Sequence, residues 1–348
     1  MSQQAIIEHL KSIYLLNNQP LPLFLNAPGM CNALVHLFHR YCIKIMNEMQ
    51  STFTEKSARQ AIQKIRKKSV QLLHADEPEK VATKIYQLSF FQRPRNKQPE
   101  ESFCKSSAIA LDDIRGINTV YNQQKPSKCN SVFYDNVNLI ADFAGCINEK
   151  ELRKVLMHYL PKHENQLIRI ASPTHVIALG YHKNAKSHCS SIFNPNHSFK
   201  EIQLIKMTDI GDCKKLIATL ENIFYKRFAI DNLAPINLCL SIKFFSITEQ
   251  QPVPNEKTGA AFLSELMQAR QNNELLTDPD GYDSLFISAQ YGHSEIVRFL
   301  MADYPAQCDP HRAQGSVNKS TPYIMSQYNK HEEIRYTLGL KNTLTHPH

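Results

Sequence analysis

No apolar run in the 348 residues approaches the roughly 18 needed to cross a bilayer, so no transmembrane segment is expected. Met1-Ser2-Gln3-Gln4-Ala5 has neither a basic start nor a long apolar stretch, so no secretory signal peptide is expected. CxxC pairs are missing. The nine cysteines, at 31, 42, 104, 129, 146, 189, 213, 239 and 308, are scattered and odd in number. That argues against a disulfide framework and for free thiols in a reducing compartment. Tryptophan is absent and glycine is rare, at 10 residues. Neither a Gly-rich phosphate loop nor a GxSxG elbow occurs, so no cofactor is expected from either signature. No zinc-finger or RNP motif accompanies the basic residues, so no nucleic-acid partner is expected.

What is present suffices for a folded core. Hydrophobic residues make up 42% of the chain, and the length suggests two or three domains of about 150 residues. The net charge of +8 is uneven: seven Lys/Arg against ten Asp/Glu from Gly259 onward leave −3 there and +11 on the preceding residues. A basic body favours an acidic partner, an anionic membrane face or nucleic acid. Its densest run, Lys64-Ile65-Arg66-Lys67-Lys68, reads equally as the solvated face of a helix.

The most pointed stretch is Asn26-Ala27-Pro28-Gly29-Met30-Cys31-Asn32-Ala33-Leu34. A Pro-Gly breaker leads into a cysteine, after which Leu34, Leu37, Phe38, Tyr41 and Ile45 recur at helical spacing. Cys31 thus opens a helix, where unpaired N–H groups and the dipole favour a thiolate nucleophile. It can also be one more buried thiol. Helical patterns are read at residues 5–16, 54–74, 78–92 and 135–160, the last broken near Gly145–Asn148, with Asn148 and Glu151 as a capping box. From residue 167 the texture turns to short strands: 167–170, 175–181, 190–193 and 201–205, then a helix at about 211–226 and a strand through 238–244. Helices followed by sheet give an α+β class. The Pro-containing segment 250–258 is read as a linker.

A cysteine nucleophile needs a base and a group to orient it. The candidate base is His175, early on a strand, and the candidate orienter is Asn194 in Phe193-Asn194-Pro195-Asn196, with Asn196 next. Each has a plainer reading: a satisfied strand histidine, and an Asn-Pro turn start. His36, His39 and Cys42 recur at threes, but no fourth metal ligand is apparent, so no metal is expected. His182, His188 and His197 are expected in exposed loops.

Cysteine at a helix head after a Gly-containing turn, His-Val-Ile-Ala-Leu on a strand, and Phe-Asn-Pro-Asn at the next strand end together resemble the papain-like (clan CA) fold. The likeness, over residues 20–45 and 165–206, is to the YopT/AvrPphB-like effector proteases. It implies a papain-like helical subdomain plus antiparallel sheet over residues 1–249. It further implies Cys31 as nucleophile, His175 as base, Asn194 as orienter and Asn26 as oxyanion donor. The chain departs from that group in having Asn at 194 in place of Asp, and Asn26 in place of Gln.

Beyond the linker, Asp283-Ser284-Leu285-Phe286, Gly292-His293 and Glu295-Ile296-Val297 resemble the ankyrin repeat, restarting at Thr321-Pro322-Tyr323-Ile324. Residues 259–341 are expected as a short α-helical ankyrin module and 342–348 as a tail. Together the resemblances imply a cysteine-dependent acyl-transfer enzyme, a protease or deamidase. Its protein substrate would be a host protein recruited by the ankyrin repeats, and the chain a bacterial effector delivered by a non-Sec route into host cytoplasm. The rival is a non-catalytic ankyrin adaptor on a pseudo-protease scaffold.

Overall fold

The structure, a computed structural model, describes residues 8, 12, 15–16, 31–49, 53–73, 138–160, 166–184, 187–197, 203–207, 213–229, 236–246, 257–270, 273–315, 319–329 and 331–339. Asn26, most of the 250–258 segment, the 342–348 tail and the helical pattern at 78–92 lie outside the described residues.

The chain is α+β, built on one antiparallel six-stranded sheet. In chain order the elements are helices α1 (Cys31–Met49) and α2 (Glu55–Leu73), strand β1 (Asn138–Ile147), helix α3 (Glu149–Tyr159) and strands β2 (Gln166–Ala171), β3 (Val176–Asn184), β4 (Ser187–Phe193) and β5 (Gln203–Met207). Then come α4 (Lys214–Ala229), β6 (Leu238–Ser246), α5 (Gly259–Gln268), α6 (Ser284–Tyr291), α7 (Ser294–Asp303), α8 (Pro322–Tyr328) and α9 (Glu332–Gly339). The spatial order is β1-β6-β2-β3-β4-β5.

One expected element changes type. Residues 138–147, read as helix, form the edge strand β1 paired with β6. Phe143, Ala144, Cys146 and Ile147 are all buried, because helices cover both faces of the strand. A strand buried on both faces loses its alternation and cannot be told from a buried helix by period. The capping box does form at Asn148 and Glu151, but it starts α3 directly after β1.

The pleat sorts β6 into two faces. Phe244 packs on Tyr159 of α3, ring centroids 4.7 Å apart, so this face lies under α3 and, through Phe262, α5. On the other face Phe245 meets His39 of α1, and Ser241 and Lys243 meet the α6–α7 region. Phe38 of α1 stacks on Phe193 of β4 on that same face, centroids 4.9 Å apart. Sheet and C-terminal helices share one hydrophobic core.

Gly180 on β3 leaves room for Phe53, two residues before α2. A Cβ there would lie 1.9 Å from the Phe53 ring, which is fully buried. Overpacking of this kind typically costs 1–3 kcal/mol. Gly180→Ala is therefore expected to lower stability by about 2–3 kcal/mol in urea unfolding; an unchanged midpoint would show that Phe53 is free to move aside.

The helix pairs α6–α7 and α8–α9 repeat one design. Each first helix is capped by a side chain, Asp283 on the Phe286 N–H and Thr321 on the Ile324 N–H. A short β-bridge precedes each, Thr277 with Asp283 and Gln314 with Ser320. Gly292 closes α6 at φ +82°, a left-handed cap suited to glycine. No helix among the described residues is long and apolar enough to cross a membrane.

Candidate active site

His175 sits in the turn between β2 and β3, and local bonds fix that turn. The Ser172 N–H donates to the His175 carbonyl (2.8 Å), and the His175 N–H donates to the Ser172 hydroxyl (3.1 Å). β3 pairs with β4, so the turn that begins at Asn194, just after β4, lies beside the start of β3 and within reach of His175. Asn194-Pro195-Asn196-His197 is a turn closed by the His197 N–H on the Asn194 carbonyl (3.0 Å), with proline at its favoured second position.

The Asn194 side chain is oriented by that turn. Its Oδ1 accepts the Asn196 backbone N–H (3.0 Å), and an N–H can bond only to an acceptor, so the amide orientation is assigned. The same Oδ1 lies 2.9 Å from His175 Nε2. Nε2 must therefore carry the proton and donate it, which leaves Nδ1 as the basic nitrogen. The Asn196 side-chain amide stands 3.3 Å from Nδ1 and can donate to it.

Burial lowers the His175 pKa below the ordinary histidine value. The Asn194 bond opposes this shift and the nearby His197 adds to it. The ring is edge-on to Phe224 of α4 at 5.9 Å, and the residue is 8% exposed. A neutral, tautomer-fixed imidazole at neutral pH is the state a general base requires.

Cys31 heads α1, as expected, and is buried. Its electrostatic neighbours are Arg169 of β2 and Tyr291 of α6. Arg169 lies over the Tyr291 ring, 4.8 Å from its centroid, and a cation beside a thiol favours its ionised form. Tyr291 in turn donates its hydroxyl to the Ser172 carbonyl (2.7 Å), three residues from His175. The structure thus joins His175, Asn194 and Asn196 directly; Cys31 stands in the electrostatic neighbourhood of Tyr291, the residue that bonds the His175 turn.

No family model and no curated protein matches the chain.

Arg169 and Tyr291 escaped the sequence reading. Arg169 stands at a polar position of an alternating strand, which ordinarily means solvent, yet it is buried under Tyr291. Tyr291 lies 116 residues beyond His175, and only the docking of α6 on the sheet brings it there. His182 and His188, expected in loops, lie in β3 and β4, where His188 Nδ1 bonds the Tyr181 hydroxyl. His39 and Cys42 are buried in α1. Among the described residues no cluster of three or more His, Cys, Asp or Glu could hold a metal.

Proposed function

We propose that the chain is a papain-like cysteine hydrolase, a protease or deamidase, whose C-terminal helices are ankyrin repeats that engage a host protein. In this reading it is a bacterial effector acting in host cytoplasm. The observation that carries the reading is the 2.9 Å bond between His175 Nε2 and Asn194 Oδ1 in a fixed orientation. It gives the Asn-oriented, neutral imidazole of a Cys-His-Asn triad. Cys31 would attack the substrate carbonyl, and His175 Nδ1 would take the thiol proton and deliver it to the leaving amine. The Cys31 backbone N–H, at the helix start, would help hold the oxyanion, with Asn26 as its partner. The repeated caps and bridges of α6–α7 and α8–α9 support the ankyrin reading.

The second reading, a non-catalytic adaptor, is favoured by one contact: the Asn196 amide stands against the nitrogen the thiol would need.

An alkylating thiol probe at neutral pH separates the two. Burial raises the pKa of Cys42, Cys146, Cys189 and Cys239, so those thiols should react slowly. The hydrolase reading expects Cys31 to label first, and His175→Ala to slow that labelling by about a hundredfold, the lower end of what a general base contributes. Slow, even labelling of all nine cysteines would leave the adaptor.

A further inference from the structure

The C-terminal helices do more than lie against the sheet. The last two residues of α6 hold the turn that carries His175. The Tyr291 hydroxyl donates to the Ser172 carbonyl (2.7 Å), and Gln290 Nε2 donates to the Pro173 carbonyl (3.0 Å). Two adjacent residues of one helix thereby bond two adjacent carbonyls of one turn. Both residues are themselves held. Arg169 stacks on the Tyr291 ring, and the Lys243 ammonium donates to the Tyr291 carbonyl (3.3 Å). The Gln290 carbonyl accepts from the Asn329 side-chain amide (2.9 Å), which follows α8. The turn is thus continuous, through a single residue, with the second helix pair.

We propose that Tyr291 and Gln290 are positioning residues for His175, so that the C-terminal helices complete the candidate active site and are not a tethered recruiter alone. The inference rests on the hydrolase reading for its consequence, though not for its geometry. A turn with two carbonyls pinned keeps the imidazole against Asn194 and away from water. Releasing one pin lets the turn breathe, admits water to the ring, and returns the imidazole toward ordinary histidine behaviour. A ligand that strains α6 or α8 would act on the base by the same route.

Tyr291→Phe in the full chain is the test, because it keeps the ring under Arg169 and removes only the hydroxyl. Gln290→Ala, which removes the Pro173 bond alone, is the second variant should the first fail to fold. Arg298→Ala, an exposed α7 position paired with Glu333, is the control. Two quantities are read: the pH dependence of iodoacetamide labelling at Cys31, and the His175 ring titration by NMR, assigned by difference with His175→Gln.

The expected result is that the His175 titration moves up in Tyr291→Phe, toward the ordinary histidine value. Labelling at neutral pH should fall about fivefold, the scale of one hydrogen bond of about 1 kcal/mol. The control should leave both unchanged. A His175 titration identical to wild type, whatever happens to thermal stability, overturns the proposal and leaves the two bonds as packing. If Cys31 of the unaltered chain labels no faster than the other thiols, the hydrolase reading has failed. The ring titration still decides whether Tyr291 positions the histidine.

Discussion

Replacing Arg270 with methionine is expected to destabilise the protein by about 3–5 kcal/mol, the usual cost of stranding one partner of a buried ion pair. Arg270, just after α5, grips Glu151 of α3 with two bonds, Nε to Oε1 (2.7 Å) and Nη2 to Oε2 (2.8 Å). The two side chains are 8% and 7% exposed. The guanidinium also donates to the carbonyls of Cys146 on β1 (2.9 Å) and of Glu274 (3.0 Å). One side chain therefore fastens the C-terminal helices to the edge strand and to the start of α3. Without it, the Glu151 carboxylate is buried without its cation and the Cys146 carbonyl loses a donor.

The companion change discriminates the cause. Glu151→Gln keeps a side-chain oxygen to accept the Asn148 backbone N–H, since glutamine serves at that position of a capping box. Arg270→Met with Glu151→Gln should thus be less destabilised than Arg270→Met alone, as measured by urea unfolding. If the double variant is worse by the sum of the singles, the pair is not coupled, and the loss belongs to the carbonyl contacts.

The second large effect is acid sensitivity. Burial pulls the His39 pKa down to about 3; the Arg169 charge adds to this, and a bond at the Ile168 backbone opposes it. Its Nε2 is buried with no hydrogen-bond partner among the described residues. In the unfolded chain a histidine titrates near 6.5. Between those values the unfolded state binds more protons than the native state. Stability is therefore complete above about pH 6.5 and falls as the pH drops toward 3, by about 1.4 kcal/mol per pH unit. Burial depresses His293 as well, against the opposing effect of Asp142, so it contributes in the same direction. Asp278 works the other way. Burial pushes its carboxyl up to about 6, so protonating it favours the native state as the pH falls from there.

His39→Leu isolates the main contributor. Between pH 7 and 5 the unaltered chain should lose about 2 kcal/mol more than this variant, read from urea midpoints at each pH. Equal slopes in the two proteins would show that His39 takes up no proton on unfolding.

The sequence alone determined the pieces whose signal is local. The 3.6-residue spacing after Cys31 marks α1, because one apolar face is enough to write a helix into a sequence. The turn residues between the short strands mark β2 to β5, and the Asn148–Glu151 box marks the start of α3. His175 and Asn194 could be named as partners because each flanks a strand of one hairpin, whose pairing brings those strand ends side by side. What only the tertiary structure decided is non-local. Cover from both sides makes residues 138–147 a strand, although their apolar run reads as helix. Arg169, polar in pattern, is buried because α6 lays the Tyr291 ring over it. The turn that holds the histidine is pinned from more than a hundred residues away. Periodicity records which face of an element is apolar, and carries no record of what will be packed against it.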